Sequence, residues 1–250
     1  MKKTLLVIFL ALLCILVTLL IIYFNLPRKI SVITYHNLTN DDSSSMNINI
    51  DEFEKQVSYL AKHNYYSLTL KEVECYLDGS CSIPRKSVLI TFDDGWKNNL
   101  TMAFPILKKY NLNATLFYIG NNYDGHNSNF INSDDLEIIR RDYKNIEIAS
   151  HTYDLHVEDA YKLSVEELKN DMKKMKEIID SPYIAYPYGH HSDNYHKALE
   201  EEGYKLAFTF GPDGEHRKLS RSDNKYELPR LNMSDGMPFW KFVLRLIWIY

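Results

Sequence analysis

Three apolar patterns alternate along the chain. From Leu5 to Phe24, twenty residues depart from large apolar side chains or Ala only at Cys14 and Thr18. As a helix rising about 1.5 Å per residue, this run spans a hydrocarbon core of about 30 Å. Beyond it, short apolar runs predict strands: Ser31–Tyr35, Val88–Phe92, Ala114–Ile119, Asn145–Ser150, Ile184–Tyr186 and Leu206–Phe210. Their near-continuous hydrophobicity suits strands buried on both faces. Between them, apolar residues recur at helical steps, as in Phe53, Val57 and Leu60, or Val165, Leu168, Met172, Met175 and Ile179. The two methionines read as core, not as a ligand box. Helix starts are expected at Asp51, Thr69-x-x-Glu72, Ser133 and Ser164-x-x-Glu167, and Gly203 ends the helix that begins near Tyr195. Repeated strand and helix imply a mostly parallel α/β sheet, and about seven or eight strands suit a closed barrel.

The first run follows Met1-Lys2-Lys3 and leaves through Leu26-Pro27 without the small residues of a signal-peptidase site. We read residues 1–27 as an uncleaved signal anchor and 28–250 as one extracytoplasmic domain on a single-pass cell-membrane protein; a cleaved signal peptide is the alternative. Arg28 and Lys29 balance Lys2 and Lys3, so flanking charge orients the segment only weakly. A net charge of −4 argues against a polyanion-binding protein, so no nucleic-acid partner is expected. Nineteen tyrosines suit a carbohydrate cleft, though genome composition accounts for them equally well. In an oxidising compartment Cys75 and Cys81 would close a small disulfide loop worth about 2 to 3 kcal/mol; in the cytosol they would be two free thiols. The tail Phe239–Tyr250 is apolar on nearly all faces, too short to span a bilayer, and suited to packing on the domain or lying at a membrane surface.

Candidate chemistry collects where the predicted strands end. Asp93-Asp94-Gly95 follows the run Val88–Phe92. Adjacent carboxylates repel, so the pair requires a cation such as a metal ion, unless it merely ends a strand and caps a helix. His151 and His156 follow the predicted strand Asn145–Ser150. Five residues apart, they diverge by about 140° in a helix and face opposite sides of a strand, so they converge only on an irregular loop. Such a loop with one carboxylate from elsewhere makes a two-His, one-carboxylate set with open positions; a surface pair is the alternative. Tyr186-Pro187-Tyr188-Gly189 reads as a rigid turn whose exposed N–H could hold an oxyanion.

These stretches resemble the NodB-like polysaccharide deacetylases of the fourth carbohydrate esterase family. TFDDG (Thr91–Gly95) matches their first motif, the His pair their second, YPYG their third and Glu227-Leu-Pro-Arg230 their fourth, in family order across roughly residues 30 to 232. The resemblance implies a distorted (β/α)7 barrel. It implies Asp93 as general base, Asp94, His151 and His156 as metal ligands, the Tyr188 N–H as oxyanion donor, and Arg230 as the group that orients and charge-balances Asp93. The expected ion is zinc, with cobalt, nickel or iron able to occupy the same ligands.

Two features depart from the usual family pattern. Ala185 and Tyr186 stand where the third motif begins with Arg, and no His follows His216 to serve as the late general acid. His36, ending the run Ser31–Tyr35, is expected to supply that acid, with His216 in reserve. An early acid and a five-step His pair are similar to the branch that deacetylates poly-β-1,6-N-acetylglucosamine of biofilm matrices. The expected partners are thus an N-acetylglucosamine polysaccharide, the membrane, and a polysaccharide synthase or export complex. A peptidoglycan or chitin-oligomer deacetylase is the neighbouring alternative, and a silent membrane-tethered polysaccharide-binding protein the alternative of another class. His190 and His191 are expected near the cleft, and His63, His126 and His196 in solvent.

Overall fold

The computed structural model describes residues 2–25, 27–40, 44, 46–210, 217–233 and 236–247. The apolar runs become parallel strands of one sheet: β1 (Ser31–Tyr35), β4 (Tyr66–Ser67), β5 (Ser87–Phe92), β6 (Ala114–Tyr118), β7 (Ile146–Ser150), β8 (Tyr183–Ala185), β9 (Leu206–Phe208) and β10 (Leu231–Asn232). Their order is β10-β1-β5-β6-β7-β8-β9, with β4 beside the start of β5. Phe208 of β9 bridges to Leu228, and the same segment continues past Pro229 to pair Leu231 with Ile33 of β1. The seven-strand path therefore curls back on itself. Leu228 carries this closure, its N–H donating to Ala207 O and its carbonyl accepting the Thr209 N–H. This is the expected distorted barrel.

Successive strand residues face opposite sides, which explains the uninterrupted hydrophobicity. Val32, Leu89, Phe117, Ala149, Ala185 and Phe208 form one buried cluster, joined by Leu68 from the loop after β4 and by Val73 and Tyr76 from α3 (Leu70–Leu77). Ile33, Ile90, Phe92 and Leu116 face a second, beneath α2 (Ile50–Lys62), α4 (Phe104–Lys109) and α5 (Ser133–Asp142). Ile184 and Ala207 pack with Leu168 and Met172 of α6 (Val165–Ile178) and Leu199 of α7 (Asp193–Glu201). The methionines are core, as their spacing predicts.

Capping follows the expected chemistry with two shifts in position. Thr69 and Ser164 form the predicted capping boxes. Asn49, not Asp51, caps α2, its side chain accepting the Asp51 N–H, and Asn132, not Ser133, caps α5 in a reciprocal pair with Asp135. In both cases an asparagine upstream in extended backbone offers its oxygen to the first turn, which an already helical residue cannot do. The polar stretch after β1 is not simply a loop either, because β2 (Asn37–Leu38) pairs in parallel with β3 (Asn47–Ile48). Cys75 and Cys81 form a disulfide.

α1 (Lys2–Asn25) carries an 18-residue apolar window, Thr4–Ile21, with none of it buried. It is long and apolar enough to cross a membrane or to serve as a signal sequence. α8 (Phe239–Ile247) buries Phe242 and Leu246 against the domain and leaves Trp240, Leu244 and Ile247 exposed. Residues 248–250 of the tail lie outside the described residues.

Candidate active site

The first motif begins at the carboxyl end of β5. The Asp93 N–H still bonds Tyr35 O at 3.0 Å, but Asp94 and Gly95 then take φ of 72° and 84° and the chain turns away. At Gly95 a Cβ would stand 2.8 Å from the Tyr118 ring, so Gly is required for space as well as conformation. The turn separates the two carboxylates and gives them different neighbours.

Asp93 is buried, and Arg230 grips it with two bonds, Nη1 to Oδ1 at 2.7 Å and Nη2 to Oδ2 at 2.8 Å. Arg230 Nε donates to Thr209 O at 2.8 Å, and the guanidinium lies 5.6 Å from the ring centres of Phe117 and Phe210. Burial alone would raise the Asp93 pKa, but Arg230, with smaller help from His151 and His36, holds it below the usual carboxylate value. His36 leaves the end of β1 with Nε2 3.8 Å from Asp93 Oδ2 and its ring edge-on to Phe210. Burial pushes its pKa below the usual imidazole value; Arg230 and His151 reinforce the shift, and Asp93 and Asp94 oppose it. Among the described residues, His36 Nδ1 is buried without a hydrogen-bond partner.

Asp94 faces the histidines. Its Oδ1 is 3.5 Å from His151 Nε2 and 3.2 Å from His156 Nε2, and its Oδ2 accepts a 2.9 Å bond from Trp96 Nε1. His151 Nδ1 lies 2.8 Å from Ala185 O, which fixes Nδ1 as a donor, so that in the neutral ring the lone pair is on Nε2, toward Asp94; against the opposing effect of burial, Asp93 and Asp94 raise the His151 pKa. His156 follows on an irregular loop, its ring 5.1 Å from that of His151 and 5.0 Å from that of Tyr188. One ligand atom from each of Asp94, His151 and His156 lies within 4.8 Å of the others. Three O/N donors, one oriented by a backbone carbonyl and one by an indole, fit a divalent metal ion with positions left open.

His36, Asp93, Asp94, His151, His156 and Tyr188 thus border one cavity of about 110 Å³. Tyr188 has φ of 57°, and Gly189 next to it has φ of 79° with a hypothetical Cβ 1.7 Å from Phe210 O, so the turn abuts the segment after β9. Sequence reasoning missed Met46, Tyr186 and Phe210, which complete the cavity wall, and Trp96 behind Asp94. Only Trp96 carried a signal, its place two residues beyond Asp94.

The other histidines divide. His126 borders an adjoining cavity of about 260 Å³ with Asn121, Asn127 and Phe130, on the far side of Asp94 and His156. His191 and His196 stack at 5.1 Å beside Tyr186, outside the cavity wall. His196 is therefore part-buried, contrary to expectation, because α7 turns it onto Tyr226 and Tyr186. His190 packs near Tyr161, and His63 is exposed against Tyr59. His216 lies outside the described residues. Where the third motif lacks Arg, Ala185 offers its carbonyl to His151, and Arg230 brings the cation to Asp93 from the segment before β10.

Residues 82–207 match the polysaccharide deacetylase family. The chain belongs to that family. It is accordingly a hydrolase acting on amide bonds. The poly-β-1,6-N-acetyl-D-glucosamine N-deacetylase of Staphylococcus epidermidis is 31% identical over 200 residues, covering 74% of this chain and 67% of that protein. Among solved structures, the Streptococcus pyogenes deacetylase PplD in complex with acetate shares the fold with a TM-score of 0.79 at 24% identity, covering 88% of this chain and 99% of its own. IcaB from Ammonifex degensii does so with a TM-score of 0.72 at 24% identity, covering 88% and 97%.

Proposed function

We propose that this deacetylase removes acetyl groups from N-acetylglucosamine units of an extracellular polysaccharide, poly-β-1,6-N-acetylglucosamine of a biofilm matrix. The observation that carries this reading is the convergence of His36 from β1 with the Asp93–Arg230 pair and the Asp94, His151, His156 set in one cavity. An acid His at the start of the barrel compensates for the missing late His, and the named activity of the Staphylococcus epidermidis relative supports the substrate.

Asp94, His151 and His156 would hold a divalent ion, with zinc the first choice and cobalt, nickel or iron alternatives. When bound, it would polarise the acetyl carbonyl and lower the pKa of the attacking water. Asp93, kept ionised by Arg230, would accept the proton of that water. The Tyr188 N–H is the proposed oxyanion donor. His36 would protonate the departing nitrogen. Burial disfavours the charged form of its ring, and negative charge developing on the substrate beside it would favour the imidazolium, with Asp93 3.8 Å away to pass on the proton taken from water. Hydrolysis yields acetate and an amine that becomes cationic near neutral pH.

α1 is proposed to remain as a membrane anchor, residues 1–27, holding the domain of residues 28–250 outside the cell, where it would meet the product of a polysaccharide synthase or export complex. The Cys75–Cys81 disulfide supports an oxidising location. Acetate release from poly-β-1,6-N-acetylglucosamine, with peptidoglycan as the comparison polymer, tests the substrate. Release from peptidoglycan alone would keep the chemistry and overturn the assignment.

A further inference from the structure

Trp96 is held from three directions. Its neighbours pair antiparallel with Asn129–Ile131, the Lys97 N–H donating to Asn129 O and the Ile131 N–H to Gly95 O, both at 2.8 Å. Its ring packs on Phe130 with centroids 4.5 Å apart. Its Nε1–H donates to Asp94 Oδ2 at 2.9 Å. The other oxygen, Oδ1, is the one that faces both histidines, at 3.5 and 3.2 Å.

We propose that Trp96 is a positioning residue that fixes Asp94 as a one-oxygen ligand and thereby keeps a coordination position open for substrate. The proposal rests on the metal reading above. The terminal torsion of an aspartate is broad, so an untethered Asp94 could turn both oxygens toward an ion and fill a further position. A donor on Oδ2 prevents that turn. An indole suits the task because it donates one hydrogen bond, has no lone pair with which to ligate, and adds no charge to the site. Backbone pairing and the Phe130 contact set the indole before any ion arrives, so the order is built into the fold.

The test uses the full-length chain in detergent, as wild type, Trp96→Phe, Phe130→Leu and His156→Ala. A further variant carries a benzothienylalanine at position 96, which keeps the bicyclic shape without the N–H and covers the case in which Trp96→Phe misfolds. Zn²⁺ and Co²⁺ dissociation constants are titrated directly, and the visible spectrum of the Co²⁺ form reports its coordination. Loss of the N–H is expected to weaken ion binding by about 10- to 100-fold and to alter the Co²⁺ spectrum, as removal of such outer partners does elsewhere. Phe130→Leu, which keeps the N–H and its backbone pairing but loosens the ring contact that supports the indole, should weaken ion binding by several-fold less than loss of the N–H does. Wild-type affinity and spectrum in the N–H-deficient variants would overturn the proposal, as would equal weakening in Phe130→Leu, which would assign the effect to packing. A wild type that binds neither ion, or a His156→Ala that binds as well as wild type, would overturn the metal reading itself and this proposal with it.

Discussion

Replacing Arg230 by Met removes a guanidinium from the barrel and leaves Asp93 behind. Arg230 has 0% and Asp93 2% of its side chain exposed, and two charge-assisted bonds of 2.7 and 2.8 Å join them. Breaking a buried pair by deleting one partner costs about 3 to 5 kcal/mol, because an uncompensated charge remains. Asp93 borders the cavity, where solvent would relieve part of that cost, so about 3 kcal/mol is expected for Arg230→Met at pH 7. In the double variant Asp93→Asn/Arg230→Met the stranded charge is gone, and its cost should fall short of the summed single costs by about 2 kcal/mol. The pH dependence has a definite sign. The folded Asp93 pKa is depressed from its ordinary 3.8, so its contribution is complete above that value and is lost as pH falls through the folded pKa. Without Arg230 burial dominates and raises the carboxyl pKa, so the deficit of Arg230→Met should shrink as the medium is acidified. Urea unfolding of the metal-free, detergent-solubilised chain, followed by tryptophan fluorescence between pH 7 and the lowest pH at which wild type stays folded, measures both. A cost below about 1 kcal/mol, within the range of exposed ion pairs, or a deficit independent of pH would refute the reasoning.

Three further outcomes are expected. His36→Gln should lower kcat for acetate release by about 10²- to 10⁴-fold while leaving Zn²⁺ affinity near wild type, because the role proposed for the ring is proton transfer and it lies outside the proposed Asp94, His151, His156 ligand set. His156→Ala should lose stoichiometric ion binding, and a chelator should abolish wild-type acetate release with recovery on adding back Zn²⁺; both are read by direct metal analysis beside the assay. Cys75→Ser/Cys81→Ser should lose about 2 to 3 kcal/mol in denaturant unfolding with kcat/KM unchanged, since the six-residue separation closes a short loop beside Ile83 and Tyr76, away from the cavity.

Where a physical period or a steric demand is strict, the sequence carried the answer. Val88–Phe92 is apolar at every position because β5 is buried on both faces, and Asp93-Asp94-Gly95 marks its end because only a sharp turn gives two adjacent carboxylates separate partners. The spacing of His151 and His156 demanded an irregular loop, and one is present. The meeting of His36 with Asp93 was less legible, because it depends on β1 and β5 pairing in the register Tyr35↔Phe92, which no local pattern states. Helix starts at Asn49 and Asn132 were displaced because Asp51 and Ser133 are equally good local caps, and the choice rests on backbone conformation. Trp96 escaped because its role needs Phe130 and Asn129, more than thirty positions away, to hold it. His196 looked solvated on a short polar helix, yet Tyr186 and Tyr226 arrive from other elements to cover it.

The most direct test of the central claim is acetate release from poly-β-1,6-N-acetylglucosamine by the Zn²⁺-loaded chain, run beside Asp93→Asn and His36→Ala. The account predicts release by wild type and a fall of about two or more orders of magnitude in each variant, as loss of a general base or acid entails. Wild type that binds Zn²⁺ yet releases no acetate from this polymer or from peptidoglycan, or a His36→Ala variant as active as wild type, would contradict it.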